Sequence, residues 1–335
     1  ELKAGDWNIS TPIRIRENNI TLRGQGMNKT RIHVTTEDTD SIVVGRWDDW
    51  RQRMWDIYSN TSWKPSSIKF PQDHENHPEH WTDNTIIECL SIDGKASFIG
   101  AVQTWNIYIS HISNTVNEDN CDGDLITIAD SVYATIIGCK LKNGRRGILF
   151  FGAGHVNVIE NTFDHSKQYD QLEFNGVPFG NNLVKGNHFI NGGCMNIYSS
   201  WNTTVTENLV EDGYGGHGGI ILMLSKNITV SKNIVKNSHF DKGAIVVDWG
   251  FYSGDYNISI THNLVYNNEN HGVFIDLDNR DQNSWANLYL TLTSNTIVGS
   301  QKSGVFFGID KDTSLAEATL RSHLRINSTI RNNIV

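Results

Sequence analysis

The apolar positions of this chain fall in short alternating bursts, each broken at a similar place by one asparagine. Aligned on that residue, the bursts read VNVIENTFDHS, NLVKGNHFING, TTVTENLVEDG, ITVSKNIVKNS, ISITHNLVYNN, LTLTSNTIVGS and STIRNNIV. Every second residue in the flanks is apolar, the period of a strand with one buried face. Asparagine is disfavoured inside strands, so its return at Asn161, Asn187, Asn208, Asn233, Asn263, Asn295 and Asn333 marks a corner. At a corner it tolerates a left-handed backbone, and its carboxamide hydrogen-bonds to an identical residue stacked above or below. Upstream the same frame continues with substitutes: Gln25 in NITLRGQG, Cys89 in TIIECLSI, Ile112 in NIYISHIS and Cys139 in TIIGCKLK.

Each full unit carries a further strand-like piece ahead of the other two: LITIADS, GILFFGA, QLEFNGV, CMNIYSS, GGIILMLS, GAIVVDWG, GVFIDLDN and GVFFGID. Three short strands per repeat with no helical period between them point to an all-β solenoid, a parallel β-helix of about eleven rungs. With rungs about 4.8 Å apart the rod is roughly 50 Å long. Repeat folds grow by adding rungs around one core, so residues 1–335 form a single domain. The repeat is interrupted once, by an excursion over residues 48–83. The chain opens without Met and ends inside a strand-like run, which suggests a fragment or processed form of a longer protein.

The asparagine repeat, with the opening KAGDWNISTPIRIRENNITLRGQGMNKTRI, resembles the pectate-lyase-like right-handed parallel β-helix superfamily. That resemblance implies a right-handed coil over nearly the whole chain. It also implies a carbohydrate groove along the first strand of each rung. Members include polysaccharide lyases, glycoside hydrolases, uronan epimerases, phage tailspikes and non-catalytic surface proteins, so the likeness carries the fold and leaves the activity open.

A formal net charge of −9 and a pI near 5.8 argue against nucleic acid as partner, which needs clustered Lys and Arg. Apolar runs stay far below the ~20 residues that cross a bilayer, so no membrane insertion is expected. Cys89, Cys121, Cys139 and Cys194 form no CxxC pair and no zinc spacing, and read as reduced, buried thiols. Cys89 and Cys139 are expected at one corner two rungs apart, about 9–10 Å, beyond disulfide reach. Sequons at Asn8, Asn19, Asn28, Asn60, Asn202, Asn227, Asn257 and Asn327 carry little weight in so asparagine-rich a chain.

Placing Ile148, Leu172, Met195, Ile220, Ala244, Val273 and Val305 inward leaves outward pairs on the first strands. These are Leu149 with Phe151, Glu173 with Asn175, Asn196 with Tyr198, Ile221 with Met223, Ile245 with Val247, and Phe274 with Asp276. Glycoside hydrolysis wants two carboxylates about 5–9.5 Å apart. Glu173 with Asp170 or Asp241 is the best such pair. Uronate elimination wants a base and a cation beside the sugar carboxylate. Arg145, Arg146 or Lys167 supplies the cation, with His217 or Tyr198 as base or acid. Asn175, Asn196 and Tyr169 complete the polar surface.

The outward apolar residues, Leu149, Phe151, Ile221, Met223, Ile245, Val247, Phe274 and Phe306, form a stripe larger than a monomer usually exposes. A second copy, a loop or a ligand is expected to cover it. The excursion carries Trp50, Trp55, Tyr58, Trp63 and Trp81; Trp50, Trp55, Trp63 and Trp81 are candidates to stack on sugars, and tryptophans equally fill subunit interfaces. Within it, QDHENHPEHW places His74, His77 and His80 among carboxylates. Pro78 breaks a regular helix there and the spacing fits no standard site, so no cofactor is expected and these three histidines stand only as candidates for a divalent cation. NEDNCDGD at 117–124 lacks the spacing of a calcium loop. The sequence thus points to an extracellular or cell-surface protein that binds a polysaccharide, with residues for hydrolysis or elimination in the groove. The alternative is a non-catalytic spike, sheath or filament subunit that assembles as a homo-oligomer through the apolar stripe and the tryptophans.

Overall fold

The computed structural model describes residues 1–35, 40–46, 52, 70–94, 98–114, 123–166, 170–193, 195–248, 254–276, 285–308 and 324–335. Its strands form two parallel sheets. One has eleven strands, the first Ile13–Ile15 and the last Val305–Gly308. The other has twenty strands and bends around the remaining two sides of the coil. The bend shows in Thr82–Asp93, which pairs through its first half with Thr21–Arg23 and through its second half with Thr30–Val34. Among the described residues no helix is long and apolar enough to cross a membrane.

Alternation decides what enters the core. On the first sheet Ile148, Leu172, Met195, Ile220, Ile245, Val273 and Val305 are successive partners. Val158, Val184, Val205, Ile228 or Val230 and Ile258 or Ile260 face them from the second sheet, all at 3% exposure or less. Each such side chain contributes roughly 1.5–3 kcal/mol relative to staying in water. At Gly243–Asp248 the expected phase slips by one, because Ile245, not Ala244, is in register with Ile220. Ile245 and Val247 therefore belong to the core, and the alternate residues Val246 and Asp248 face outward. Four consecutive apolar residues, AIVV, hide the alternation in this strand.

The asparagines form a continuous column. From Asn161 through Asn187, Asn208, Asn233, Asn263 and Asn295 to Asn333, each Nδ2 donates to the next Oδ1 at 2.9–3.0 Å. Each backbone N–H donates to the same oxygen at 2.9–3.0 Å. The left-handed residue at this corner is the one before the asparagine. Glu160, Gly186, Glu207, Lys232, His262, Ser294 and Asn332 have φ between 53° and 66°, whereas the column asparagines before Asn333 have no positive φ. The side chain of the asparagine, rather than its backbone tolerance, holds the corner.

Upstream, Leu90 pairs with Ile112, and Lys140 with Ser113, so Leu90, Ile112 and Cys139 continue the column. Cys89 stands one residue earlier, at φ 58°, and is not the equivalent of Cys139. Cys139 N–H donates to Asn161 Oδ1 at 2.9 Å, joining the apolar part of the column to the asparagines.

Candidate functional site

The outward face of the eleven-stranded sheet carries two columns of side chains. One runs Leu149, Glu173, Asn196, Ile221, Val246, Phe274 and Phe306. The other runs Phe151, Asn175, Tyr198, Met223 and Asp248. A concave site of about 250 Å³ opens over the middle of this face, lined by Asp170, Asn196, Tyr214, His217, Ile221 and Met223 among others. Asn196, Ile221 and Met223 come from the strands and form its floor. Asp170 enters from the turn ahead of Leu172–Asn175. Tyr214 and His217 come from a glycine-rich turn in which Gly215 and Gly216 have φ near +70° and +63°, a backbone that side chains rarely adopt.

One end of this site is anchored from below. His217 Nδ1 lies 2.9 Å from Asp248 Oδ2, and the Asp248 side chain is fully buried. The contact is an ion pair when His217 is protonated. Lys242 Nζ donates to Asp248 Oδ1 at 2.7 Å and lies 3.6 Å from Asp276 Oδ2. Contact with Asp248 raises the His217 pKa, against the opposing effect of burial. Burial pushes the Asp248 carboxyl up, but His217 and Lys242 together outweigh it and leave its pKa lowered. The imidazolium is thus favoured at a partly open position above a charge-compensated base.

A second network lies beside it. Arg145 grips Asp124 with Nε and Nη2 at 3.0 and 2.9 Å. Arg146 Nη1 reaches the same carboxylate at 3.3 Å while its Nε donates to Glu173 Oε2 at 2.5 Å. Asn175 Nδ2 donates to Glu173 Oε1 at 3.1 Å. Each cation here faces at least one carboxylate.

A family profile described as the right-handed β-helix region matches residues 81–230 and, in an overlapping register, 124–284. The chain belongs to this family. No curated protein matches the chain. Among solved structures, this β-helix is similar to the catalytic domain of a GH87 α-1,3-glucanase in complex with nigerose, at 13% identity and a TM-score of 0.56. The alignment covers 99% of this chain and 63% of that one, so the chain spans under two thirds of the glucanase domain. A D1045A variant of a GH87 α-1,3-glucanase with nigerose aligns at 14% identity and a TM-score of 0.54, over 99% of this chain and 63% of that one. DFA-IIIase from Arthrobacter chlorophenolicus A6 without its lid aligns at 14% identity, covering 98% of this chain and 88% of that one, with a TM-score of 0.48. At such identities the two glucanase likenesses, with TM-scores above 0.5, establish the β-helix fold alone.

Of the sequence-predicted residues, the β-helix brings Asp170, Asn196 and His217 together in the concave site. Glu173 is 8% exposed and does not line it; its carboxylate is consumed by Arg146 and Asn175. Asp241 is exposed, and its charge adds to the rise at His217. Tyr198 is half-buried between Asn175 and Met223 in its column. Lys167, Tyr169, Trp50, Trp55 and Trp63 lie outside the described residues.

Trp81 is not a sugar platform. It is 0% exposed, packed edge-on to Trp105 and His74, with its indole N–H on Asp73. The expected apolar stripe is also largely absent from the surface: Leu149, Ile221 and Phe274 are 7%, 3% and 6% exposed, and Ile245 and Val247 are core. The alternative of assembly through that stripe loses its main observation. Asp248 was missed because the strand phase placed Val247 outward in its stead. The acid ending GAIVVD was the available signal, since a carboxylate closing a buried strand must find a cation.

Proposed function

We propose that this β-helix binds a neutral polysaccharide across the outward face of its first sheet and hydrolyses it in the concave site. The observation that carries this reading is the meeting of Asp170, Asn196 and His217 in one cavity of about 250 Å³, with His217 held over buried Asp248. In the proposed reaction, protonated His217 donates to the departing glycosidic oxygen. The Asp170 carboxylate takes a proton from the attacking water, and Asn196 orients a sugar hydroxyl. Tyr214, 47% exposed at the rim, offers a ring face to a pyranose.

Charge favours a neutral substrate. Arg145, Arg146 and Lys242 are engaged by Asp124, Glu173, Asp248 and Asp276, so the neighbouring cations are already matched by acids. A uronan would bring one carboxylate per residue to a face that offers them little. Elimination from a uronate also needs a cation to receive the developing enolate charge. A polymeric substrate too large to enter a cell is consistent with an extracellular or surface location.

The test is a reducing-sugar assay on neutral α- and β-glucans beside an unsaturated-uronate assay on anionic polymers, with wild type, Asp170→Asn and His217→Gln. Reducing ends from a neutral polymer, lost in both variants, are the expected result. Unsaturated uronate would replace hydrolysis by elimination. Turnover unchanged in both variants would displace the site, and no turnover on any polymer would remove the catalytic reading.

A further inference from the structure

The motif QDHENHPEHW is not absorbed by the groove. A short helix, Phe70–Asn76, ends just ahead of His77, and a single 3₁₀ turn, Pro78–His80, follows. Proline at the start of the turn fixes its backbone and projects His77 and His80 from the same edge. Their rings lie nearly parallel, at 16°, with centroids 5.3 Å apart. Glu79 Oε1 sits between them, 3.4 Å from His77 Nδ1 and 3.8 Å from His80 Nε2.

Two neutral imidazoles and a carboxylate are the donor set of borderline divalent metals, bound at about 2.0–2.2 Å. Donor atoms around a tetrahedral ion at that distance are about 3.4 Å apart. Here one ligand from each of the three residues already lies within 4.8 Å of the others, with one pair at the tetrahedral separation. Small rotations of these side chains, His77 and Glu79 exposed and His80 half-buried, would bring the set to contact distance. His74 is committed to the packing of the adjacent strands. Its ring stacks on Trp105 at 4.3 Å, and its Nε2 meets Asp83 Oδ1 at 3.1 Å.

We infer that His77, Glu79 and His80 form a binding site for one divalent transition-metal ion of the zinc class, with water filling the remaining positions. The three-histidine set read from the sequence is thereby replaced by two histidines and Glu79. Arg46 Nη1 donates to the Glu79 carbonyl at 3.0 Å, which ties the turn to the end of the strand Ile42–Val44. An ion bound there fastens the turn in which His77 donates no side-chain cap to the backbone.

The experiment is isothermal titration of the whole chain, carrying no polyhistidine tag, with zinc chloride in a background of excess magnesium. One ion per chain is expected. His77→Ala and His80→Ala should each weaken binding by at least about tenfold. His239→Ala, which alters another exposed histidine, should leave it unchanged. Cobalt(II) absorption gives a second readout: visible ligand-field bands in wild type that vanish in His77→Ala. Because His77 is exposed and His80 half-buried on a short surface turn, circular dichroism should be the same for all variants without metal. No saturable zinc binding by wild type would overturn the site, as would binding retained in both His77→Ala and His80→Ala, or lost equally in His239→Ala.

Discussion

Asn233 Oδ1 accepts two hydrogen bonds from Asn208, one from the backbone N–H at 3.0 Å and one from Nδ2 at 2.9 Å. Its own Nδ2 donates to Val205 O at 2.9 Å and to Asn263 Oδ1 at 3.0 Å. One side chain therefore satisfies buried groups on both neighbouring rungs. Asn233→Ala should cost about 3 kcal/mol, since each buried group left unpaired costs about 1–3 kcal/mol. Denaturant melts and hydrogen exchange should show the loss, with Asn208 and its neighbours losing protection first.

Lys232 adopts φ 56° immediately before this asparagine. A left-handed backbone costs a non-glycine residue about 1–2 kcal/mol, while glycine gives back about 0.5–1 kcal/mol through its freer unfolded chain. Lys232→Gly is therefore expected to stabilise the rod by about 0.5–1 kcal/mol, and a rise in Tm would check it. A fall would mean that the lysine side chain contributes more than its backbone costs.

Asp248 should govern both the charge of His217 and the pH response of the groove. The folded pKa of His217 is raised, so its stabilising contribution is complete below about 6.5 and is lost as pH rises through the folded value. That of Asp248 is lowered, so its contribution is present above about 3.9 and is lost as pH falls through the folded value. Asp248→Asn should lower the His217 pKa in an NMR titration and flatten the basic side of the stability profile. Removing the Asp248 charge from buried Lys242 should also destabilise the fold by about 3–5 kcal/mol.

Glu173 separates a structural role from a catalytic one. Its carboxylate is held by Arg146 and Asn175 away from the concave site. Glu173→Gln should lower stability by about 2 kcal/mol, the scale of one charge-assisted hydrogen bond, with turnover nearly unchanged. A loss of turnover at unchanged Tm would return Glu173 to the reaction.

Burial pushes the Cys139 thiol up to about 12, and the residue is 1% exposed. A thiol-specific reagent near neutral pH should fail to label it in the folded chain and should label it at the rate of unfolding. Rapid modification under native conditions would contradict its burial.

The fold was legible where one residue type repeats at a fixed role. A buried carboxamide must pair with something, and stacked copies of itself supply the partner at every rung, so Asn161 through Asn333 stand out in the sequence. The backbone of that corner was less legible, because Glu160, Glu207, Lys232, His262 and Ser294 share a conformation and no chemistry. The site was read in part. Asp170, Asn196 and His217 were in view, but their companions depend on which rung lies beside which. Asp124 reaches Arg145 from 21 residues away and Arg146 reaches Glu173 from 27, separations set by turns whose lengths follow no rule in the sequence. Asp248 was lost to a single step of strand phase.

Consecutive column asparagines are 21 residues apart between Asn187 and Asn208 and 38 apart between Asn295 and Asn333, yet the joining bonds measure 2.9 and 3.0 Å. The scaffold does not feel how much chain hangs between its anchor points. Each turn is in effect an interchangeable cartridge: lengthened, swapped or grafted with foreign sequence, it should leave the rack beneath it in register. New specificity can accumulate on such a protein one cartridge at a time, without renegotiating the core.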